Sequence, residues 1–192
     1  KFFDLLSGSD MNDVIALTVG QPDFVTPWHI REAGIESLEQ GKTYYTSNAG
    51  ALELRREICR YLNRRFNLTY DPEHETIVTV GGSEAIDLAM RTLLTPGDEV
   101  IIPTPCFVCY APLAQMCGAT PVIVRTRNED KFKLTPELLE AAITPRTKML
   151  VLAYPNNPTG AIMDENDLEK IAQILREKQI IVLSDEIYAE LT

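Results

Sequence analysis

The chain has 192 residues, of which 45% are hydrophobic and 24% charged, and its formal net charge at pH 7 is −10. This composition predicts a globular protein with a hydrophobic core. The negative charge argues against a nucleic-acid-binding protein, which needs clustered lysines and arginines, and no apolar stretch is long enough to cross a bilayer.

The first third of the chain contains two loops, each followed by a predicted helix. A loop over residues 18–24 precedes a helix that is predicted to begin after Thr26-Pro27 and to end at Gln40, before Gly41. A second loop, residues 44–50, precedes a helix predicted over residues 51–66, where apolar residues recur at helical spacing.

From residue 76 onward, strand patterns alternate with helix patterns. Strands are predicted over residues 76–80, 99–102, 121–124, 148–153 and 180–183. One helix is predicted over residues 83–94, and a second ends at Cys117. Two more are predicted to begin after Thr135 and after Asp164, which are good capping residues. This alternation is typical of βαβ units and predicts an α/β fold, with three αβα layers around a mainly parallel sheet.

Polar and special residues follow the predicted strands, where ligands bind in such folds. After the first strand, Gly81-Gly82-Ser83 opens a helix, whose free N–H groups and positive dipole end suit a phosphate. The alternative is that Ser83 only caps the helix. The segment is neither a GxGxxG motif nor a Walker loop, so a dinucleotide or nucleoside triphosphate is not expected.

Two further clusters offer groups for an aromatic heterocycle. Asp185 follows a strand, and its partly buried carboxylate needs a cation, either an arginine of a neighbouring helix or a protonated ring nitrogen. The stretch YPNNPTG, residues 154–160, holds two carboxamides, although a plain turn needs only one. Asn157, fixed between two prolines, can donate to a phenolic oxygen, and so can Tyr188. A phosphate donor, a carboxylate for a pyridinium and two donors for a phenolate together describe pyridoxal 5'-phosphate.

The four cysteines are Cys59, Cys106, Cys109 and Cys117. Cys106 and Cys109 have CxxC spacing, but a zinc site needs a second pair that the chain does not supply. We interpret all four as buried or incidental thiols of a cytoplasmic protein and expect no metal site.

The combined motifs resemble those of the class I/II aminotransferases, pyridoxal-phosphate enzymes of fold type I. They occur in the family's order and cover nearly the whole chain: GQPDF (20–24), residues 45–50, GGSEA (81–85), residues 103–110, NPTG (157–160) and SDEIY (184–188). The resemblance implies an aspartate-aminotransferase-like large domain over residues 27–192, truncated in this chain, and a segment over residues 1–26 that belongs to the small domain or arm.

The resemblance also implies a role for each site residue. Asp185 would pair with the pyridine nitrogen, and Asn157 and Tyr188 would bind the phenolic oxygen; Asp185 and Tyr188 would be the catalytic residues. Phe107 would stack on the ring, while Gly82 and Ser83 would hold the phosphate. Gly20 would lie near the substrate carboxylate, Asn157 would also bind the substrate, and Tyr45 would reach the phosphate of the partner subunit's cofactor in a homodimer. Core packing is the alternative for Phe107 and Tyr110, and for Tyr110 we favour it.

The chain departs from the family in one important respect, because no lysine in it has the family's Schiff-base context. We therefore expect a fragment that is inactive alone, from a biosynthetic aminotransferase that uses an amino acid and a 2-oxo acid. Two alternatives stay open: a fragment of a sister enzyme such as a carbon–sulfur lyase, and a non-catalytic domain that binds pyridoxal phosphate. The motifs leave the amino donor open.

Overall fold

The computed structural model of the chain describes residues 24–192. The chain divides into two compact units, Lys1–Thr46 and Ser47–Thr192. Gly20 and most of the loop over residues 18–24 lie outside the described residues. The predicted domain boundary after residue 26 stays a prediction.

In the first unit, the described residues form one helix, α1 (Trp28–Glu39). It begins directly after Pro27, as the sequence predicts, because proline restricts the residue before it and presets φ for a helix start. None of its residues is buried, and Tyr45, in the loop that follows, is fully exposed.

The second unit carries the αβα fold. Its elements in chain order are α2 (Leu52–Phe66), α3 (Gly82–Leu93), β1 (Glu99–Thr104), α4 (Tyr110–Met116), β2 (Thr120–Arg125), α5 (Pro136–Ala142), β3 (Thr147–Leu152), α6 (Glu165–Leu175), β4 (Ile181–Ser184) and a short 3₁₀ helix (Ala189–Leu191). The strands form a four-stranded sheet in the order β2-β1-β3-β4, and every pairing in it is parallel. The predicted α/β class is confirmed.

Successive side chains of the central strands point to opposite faces of the sheet, and each face carries its own hydrophobic cluster. On one face, Val100 and Ile102 of β1 pack in a cluster with residues of α3 and α4. On the other face, Ile101 packs in a cluster with residues of α5 and α6. The sheet is therefore the middle layer of three, and its central strands are buried on both sides.

The capping signals place the starts of two helices correctly. The Thr135 hydroxyl accepts from Leu138 N at 3.4 Å at the start of α5. Asp164 accepts from Asp167 N at 2.9 Å, and the Asp167 side chain accepts from Asp164 N, which makes a reciprocal capping box at the start of α6. These caps satisfy N–H groups that the helix itself leaves unpaired.

The predicted strand over residues 76–80 is wrong, because these residues are not in a strand in the structure. A strand exists only where a neighbour completes its hydrogen-bond ladder, and within the described residues no strand pairs with this segment. Its one ladder-like contact is Val78 N to Ala49 O, at 2.9 Å. The segment still leads directly into Gly81 and α3.

Strand β1 is longer than predicted, since it continues through Pro103 to Thr104. Both residues keep their register with β2, opposite Val124 and Arg125. In the described part of the chain, no helix is both long and apolar enough to span a membrane.

Candidate functional site

A cavity of about 210 Å³ lies where the carboxyl ends of the strands meet the start of α3. Its lining residues come from four separate segments that each follow a strand or open a helix: Gly82, Ser83, Ile86, Phe107, Tyr110, Ala153, Pro155, Asn157, Asp185, Ile187 and Tyr188. All six site residues predicted within residues 81–188 are in this set. Tyr45 belongs to the other unit, and Gly20 is outside the described residues.

Among the described residues that line the cavity, Asp185 is the one charged side chain. It follows β4 directly, and its backbone N–H donates to Leu152 O at 3.0 Å, which fixes it to the end of β3. Its Oδ2 accepts from the Tyr110 hydroxyl at 2.7 Å, and its Oδ1 accepts from Ile187 N at 3.2 Å. Among residues 24–192 no lysine, arginine or histidine forms an ion pair with it, so the structure does not support the alternative of an arginine partner.

Tyr110 is buried, as expected for a core residue, with 2% of its surface exposed. Its ring packs in the hydrophobic core as predicted, and in addition its hydroxyl lines the cavity and donates to Asp185. Burial, together with the hydrogen bond to the Asp185 carboxylate, raises the pKa of the Tyr110 phenol far above its usual range. The phenol therefore stays a protonated donor at every physiological pH.

Asn157 and Tyr188 lie side by side in the wall. The Asn157 amide nitrogen donates to the Tyr188 hydroxyl at 3.4 Å, and both side chains are half-buried. Two donors in this arrangement can converge on one acceptor atom of a ligand.

The neighbouring Asn156 explains why the sequence has two carboxamides. Asn156 is 8% exposed, and its Oδ1 accepts from Thr159 N at 3.2 Å and from the Thr159 hydroxyl at 2.8 Å. Its backbone closes the same turn, since its N–H donates to Ala161 O and its carbonyl accepts from Gly160 N. One carboxamide thus builds the turn, and the other faces the cavity.

The start of α3 forms an open, polar end of the cavity. Gly81 precedes the helix with φ of +84°, a conformation that favours glycine, and no side chain caps the helix. Ser83 is exposed, and its hydroxyl has no hydrogen-bond partner within residues 24–192, so the alternative that Ser83 only caps the helix is not supported. A Cβ placed on Gly82 would meet no atom within 4 Å, which leaves room beside the free N–H groups of the first turn.

Phe107 contributes an aromatic surface to the same cavity. Its ring is 39% exposed and meets the Tyr110 ring edge to face, with centroids 6.2 Å apart and planes at 81°. The exposed part of Phe107 thus offers aromatic surface to the cavity.

Two cysteines, Cys106 and Cys109, are the sequence neighbours of cavity residues, and burial disfavours their reactive thiolate form. All four cysteines are free, and burial raises the pKa of Cys106 above its usual value. Burial, with a contribution from the Asp185 charge, raises the pKa of Cys109 to about 11. Within residues 24–192, no group of histidine, cysteine, aspartate or glutamate side chains is arranged to hold a metal ion.

No lysine of the described residues lines the cavity. Lys133 is a mostly buried lysine, but its ammonium group forms ion pairs with Asp167 and, at 3.4 Å, with Asp164. This pair fastens the loop before α5 to the start of α6 and is not part of the site.

Comparison with known proteins identifies the class to which this fold and cavity belong. The family model "Aminotransferase class I and II" matches residues 12–192. The chain therefore belongs to the class I and II aminotransferase family, and the predicted resemblance is confirmed.

Particular relatives cover the chain almost completely. It is 53% identical over all 192 residues to a putative aminotransferase, YugH, of Bacillus subtilis, and 50% identical to a probable N-acetyl-LL-diaminopimelate aminotransferase of the same organism. A crystal structure of the aromatic aminotransferase from Pyrococcus horikoshii superimposes with a TM-score of 0.89 at 41% identity and covers 97% of this chain. The chain spans about half the length of these relatives: 49%, 48% and 50%.

Proposed function

We propose that this chain is the cofactor-binding half of a pyridoxal-phosphate-dependent aminotransferase, which moves an amino group between an amino acid and a 2-oxo acid. The observation that carries the proposal is the convergence of Asp185, the Asn157–Tyr188 pair and the open start of α3 on one cavity. The aminotransferase names of the relatives favour this proposal over a carbon–sulfur lyase or a non-catalytic domain.

The groups in the cavity match those of the cofactor. The free N–H groups of α3, with the Ser83 hydroxyl, suit the phosphate. The unpaired carboxylate of Asp185 suits a protonated ring nitrogen, because a partly buried carboxylate needs a cation that the described chain does not supply. Asn157 and Tyr188 suit the phenolic oxygen, and the Phe107 face suits the ring.

When bound, pyridoxal phosphate supplies an electron sink for the carbon that carries the amino group. In this proposal Asp185 keeps the ring nitrogen protonated, and Tyr188 and Asn157 hold the phenolic oxygen by donated hydrogen bonds. Pro155 and Ile187 add apolar surface to the cavity wall. The cavity volume, below the roughly 300–1,000 Å³ of most small-molecule pockets, accords with a site that other parts of the enzyme complete.

Those other parts are also proposals. We infer that Gly20 contributes to the substrate carboxylate site, that Tyr45 reaches the cofactor of a partner subunit in a homodimer, and that residues 1–26 belong to the small domain or arm. A cytoplasmic location accords with four free thiols. The Schiff-base lysine would come from a part of the enzyme other than the described residues that line the cavity.

The direct test is the Asp185→Asn substitution in the full-length parent enzyme. Asparagine keeps the shape of the side chain and an acceptor for Tyr110 but removes the charge. We expect the transamination rate constant to fall by about 10²–10³-fold, the usual loss when a preorganised electrostatic contact is removed, while some cofactor stays bound.

Asp130→Asn is a matched control, because it makes the same change of charge on the loop before α5, outside the cavity. The control should transaminate at the wild-type rate. Near wild-type turnover by Asp185→Asn would contradict the assigned role of Asp185.

A further inference from the structure

The shortest hydrogen bond between two side chains of the described cavity wall joins two residues that are far apart in sequence. The hydroxyl of Tyr110, at the start of α4, donates to Asp185 Oδ2 at 2.7 Å across 75 positions of sequence. The Tyr110 side chain is held by the hydrophobic cluster that also contains Ile86, Met90 and Val151. A buried ring in a packed cluster has little freedom, so its hydroxyl is a fixed point for the carboxylate.

The second carboxylate oxygen is also engaged, since Oδ1 accepts from Ile187 N at 3.2 Å. A carboxylate has about four acceptor positions, so one donor on each oxygen restricts its rotation and leaves lone pairs for a ligand. Hydrogen bonds to an ionised acceptor are among the stronger ones in proteins. Together the two donors fix the plane of the Asp185 carboxylate.

We propose that Tyr110 is a positioning residue, whose hydroxyl holds the Asp185 carboxylate in the orientation that meets the protonated ring nitrogen of the cofactor. The inference rests on the proposed function and extends it to a residue that does not itself touch the ring nitrogen. Within residues 24–192 the Tyr110 hydroxyl makes no other hydrogen bond, so holding Asp185 is its one polar interaction. Because the phenol stays protonated, the donor is present at every physiological pH.

The proposal predicts that Tyr110 affects only ligands that carry the ring nitrogen. The measurement is the dissociation constant of the 192-residue chain for pyridoxal phosphate and for its analogue in which CH replaces the ring nitrogen, by equilibrium dialysis. The wild type should bind pyridoxal phosphate about tenfold more tightly than the analogue, as expected for one charge-assisted contact.

Tyr110→Phe removes only the hydroxyl and keeps the ring in its cluster. In this variant the ratio of the two dissociation constants should fall toward one, through weaker binding of pyridoxal phosphate and unchanged binding of the analogue. Tyr154→Phe is the matched control, because its half-buried hydroxyl also makes one hydrogen bond, to Phe132 O at 3.0 Å, but lies outside the cavity wall. The control should keep the wild-type ratio.

The outcomes separate the two proposals. An unchanged ratio in Tyr110→Phe, or an equal loss of both ligands, would overturn the positioning role. A wild-type ratio near one would overturn the cofactor site itself and the positioning role with it.

A second measurement needs no substitution and covers the case in which Tyr110→Phe does not fold. In the wild-type chain with 13C at the phenolic carbon of its tyrosines, pyridoxal phosphate should shift the Tyr110 signal, and the analogue should leave it in place. Equal shifts with both ligands would contradict the proposal.

Discussion

Two tyrosines of the second unit have different roles because their hydroxyls donate hydrogen bonds to different acceptors. Tyr110 donates to the Asp185 carboxylate, whereas Tyr154 donates to the backbone carbonyl of Phe132. The first contact belongs to the cavity, and the second ties the loop before α5 to the end of β3. Burial of the two side chains disfavours the charged phenolate and raises the pKa of both tyrosines.

Tyr154 gives a prediction for stability at alkaline pH. Burial raises its pKa to about 12, above the value of about 10 for an unfolded chain. A raised pKa means that the stabilisation is fully present below pH of about 10 and is lost as the pH rises to about 12. One such proton changes the free energy of unfolding by at most about 1.4 kcal/mol per pH unit.

The measurement is urea unfolding of the wild type and of Tyr154→Phe between pH 8 and pH 12. Above pH of about 10 the wild type should lose stability more steeply than the variant, and below that pH the two slopes should agree. Parallel curves over the whole range would show that Tyr154 does not titrate differently in the two states.

Some residues of the cavity wall could be predicted from the sequence, and others could not. The placement of Asp185 and Asn157 in the cavity wall could be predicted, because polar residues just after buried strands have few structural reasons to be there; Ser83 was predicted from the glycine turn before its helix. The structural role of Asn156 could not be predicted, since both asparagines are turn residues and only the fold shows that Asn156 builds the turn. Tyr110 was interpreted as a core residue. A buried tyrosine has the same apolar neighbours in sequence whether or not its hydroxyl makes a hydrogen bond, so the bond to Asp185 could not be predicted.

The segment around Val78 is positioned by its contact with the loop before α2. Gly50 has φ of +93°, and a Cβ added there would lie 2.7 Å from Val78 Cβ. Arg55 of α2 is 6% exposed and donates to Gly50 O at 3.2 Å and to Pro72 O at 2.6 Å. These contacts hold the chain that leads into the glycine turn at the start of α3.

The close approach predicts a specific cost for Gly50→Ala. Gly97 has φ of +96°, but an added Cβ would meet no atom within 4 Å, so Gly97→Ala is a matched control that carries backbone strain alone. That strain costs about 1–2 kcal/mol, and overpacking adds about 1–3 kcal/mol. Gly50→Ala should therefore lower the free energy of unfolding by about 1–3 kcal/mol more than the control does.

Urea unfolding at neutral pH measures the difference. An equal loss of unfolding free energy in the two variants would mean that Val78 moves away from the added Cβ without further destabilising the fold.

At the scale of elements, the predictions succeeded where a local signal was sufficient. Thr135 and Asp164 mark helix starts through their own side chains, so α5 and α6 follow from sequence. The strand predicted over residues 76–80 failed because a strand needs a partner, and an apolar β-branched run does not reveal whether one is present.

At the scale of the whole molecule, the sheet of the described residues ends at β4. This strand pairs with β3 on one side, and no strand of the described chain pairs with its other side. Val182, in its middle, is 41% exposed. An unprotected edge with an exposed apolar residue recruits other chains.

We therefore expect the 192-residue chain to form dimers or larger species in sedimentation velocity experiments. Val182→Lys should raise the monomer fraction, because a charge on an edge strand disfavours pairing with a second strand. Leu93→Lys is the control: this leucine is similarly exposed, at 38%, but ends helix α3 and should not change the association. A stable wild-type monomer at high concentration would count against association through the edge.

The cavity is built within a chain that spans about half the length of its aminotransferase relatives. The cavity wall comes from four segments within residues 82–188, and hydrogen bonds inside the second unit hold its Asp185 and Asn157. Under the proposed function, the contacts to the phosphate, ring nitrogen and phenolic oxygen would therefore be properties of this unit, and the Schiff-base lysine would not be. The chain alone should bind pyridoxal phosphate without covalent attachment and without transaminase activity.

The measurement that tests this most directly is the affinity of the 192-residue chain for pyridoxal phosphate, compared with that of its Asp185→Asn variant, by equilibrium dialysis. The account predicts one noncovalent site per chain in the wild type and binding at least about tenfold weaker in the variant, as expected when a charge-assisted contact is lost. Equal affinities, or a lysine of the chain that borohydride labels stoichiometrically, would contradict it.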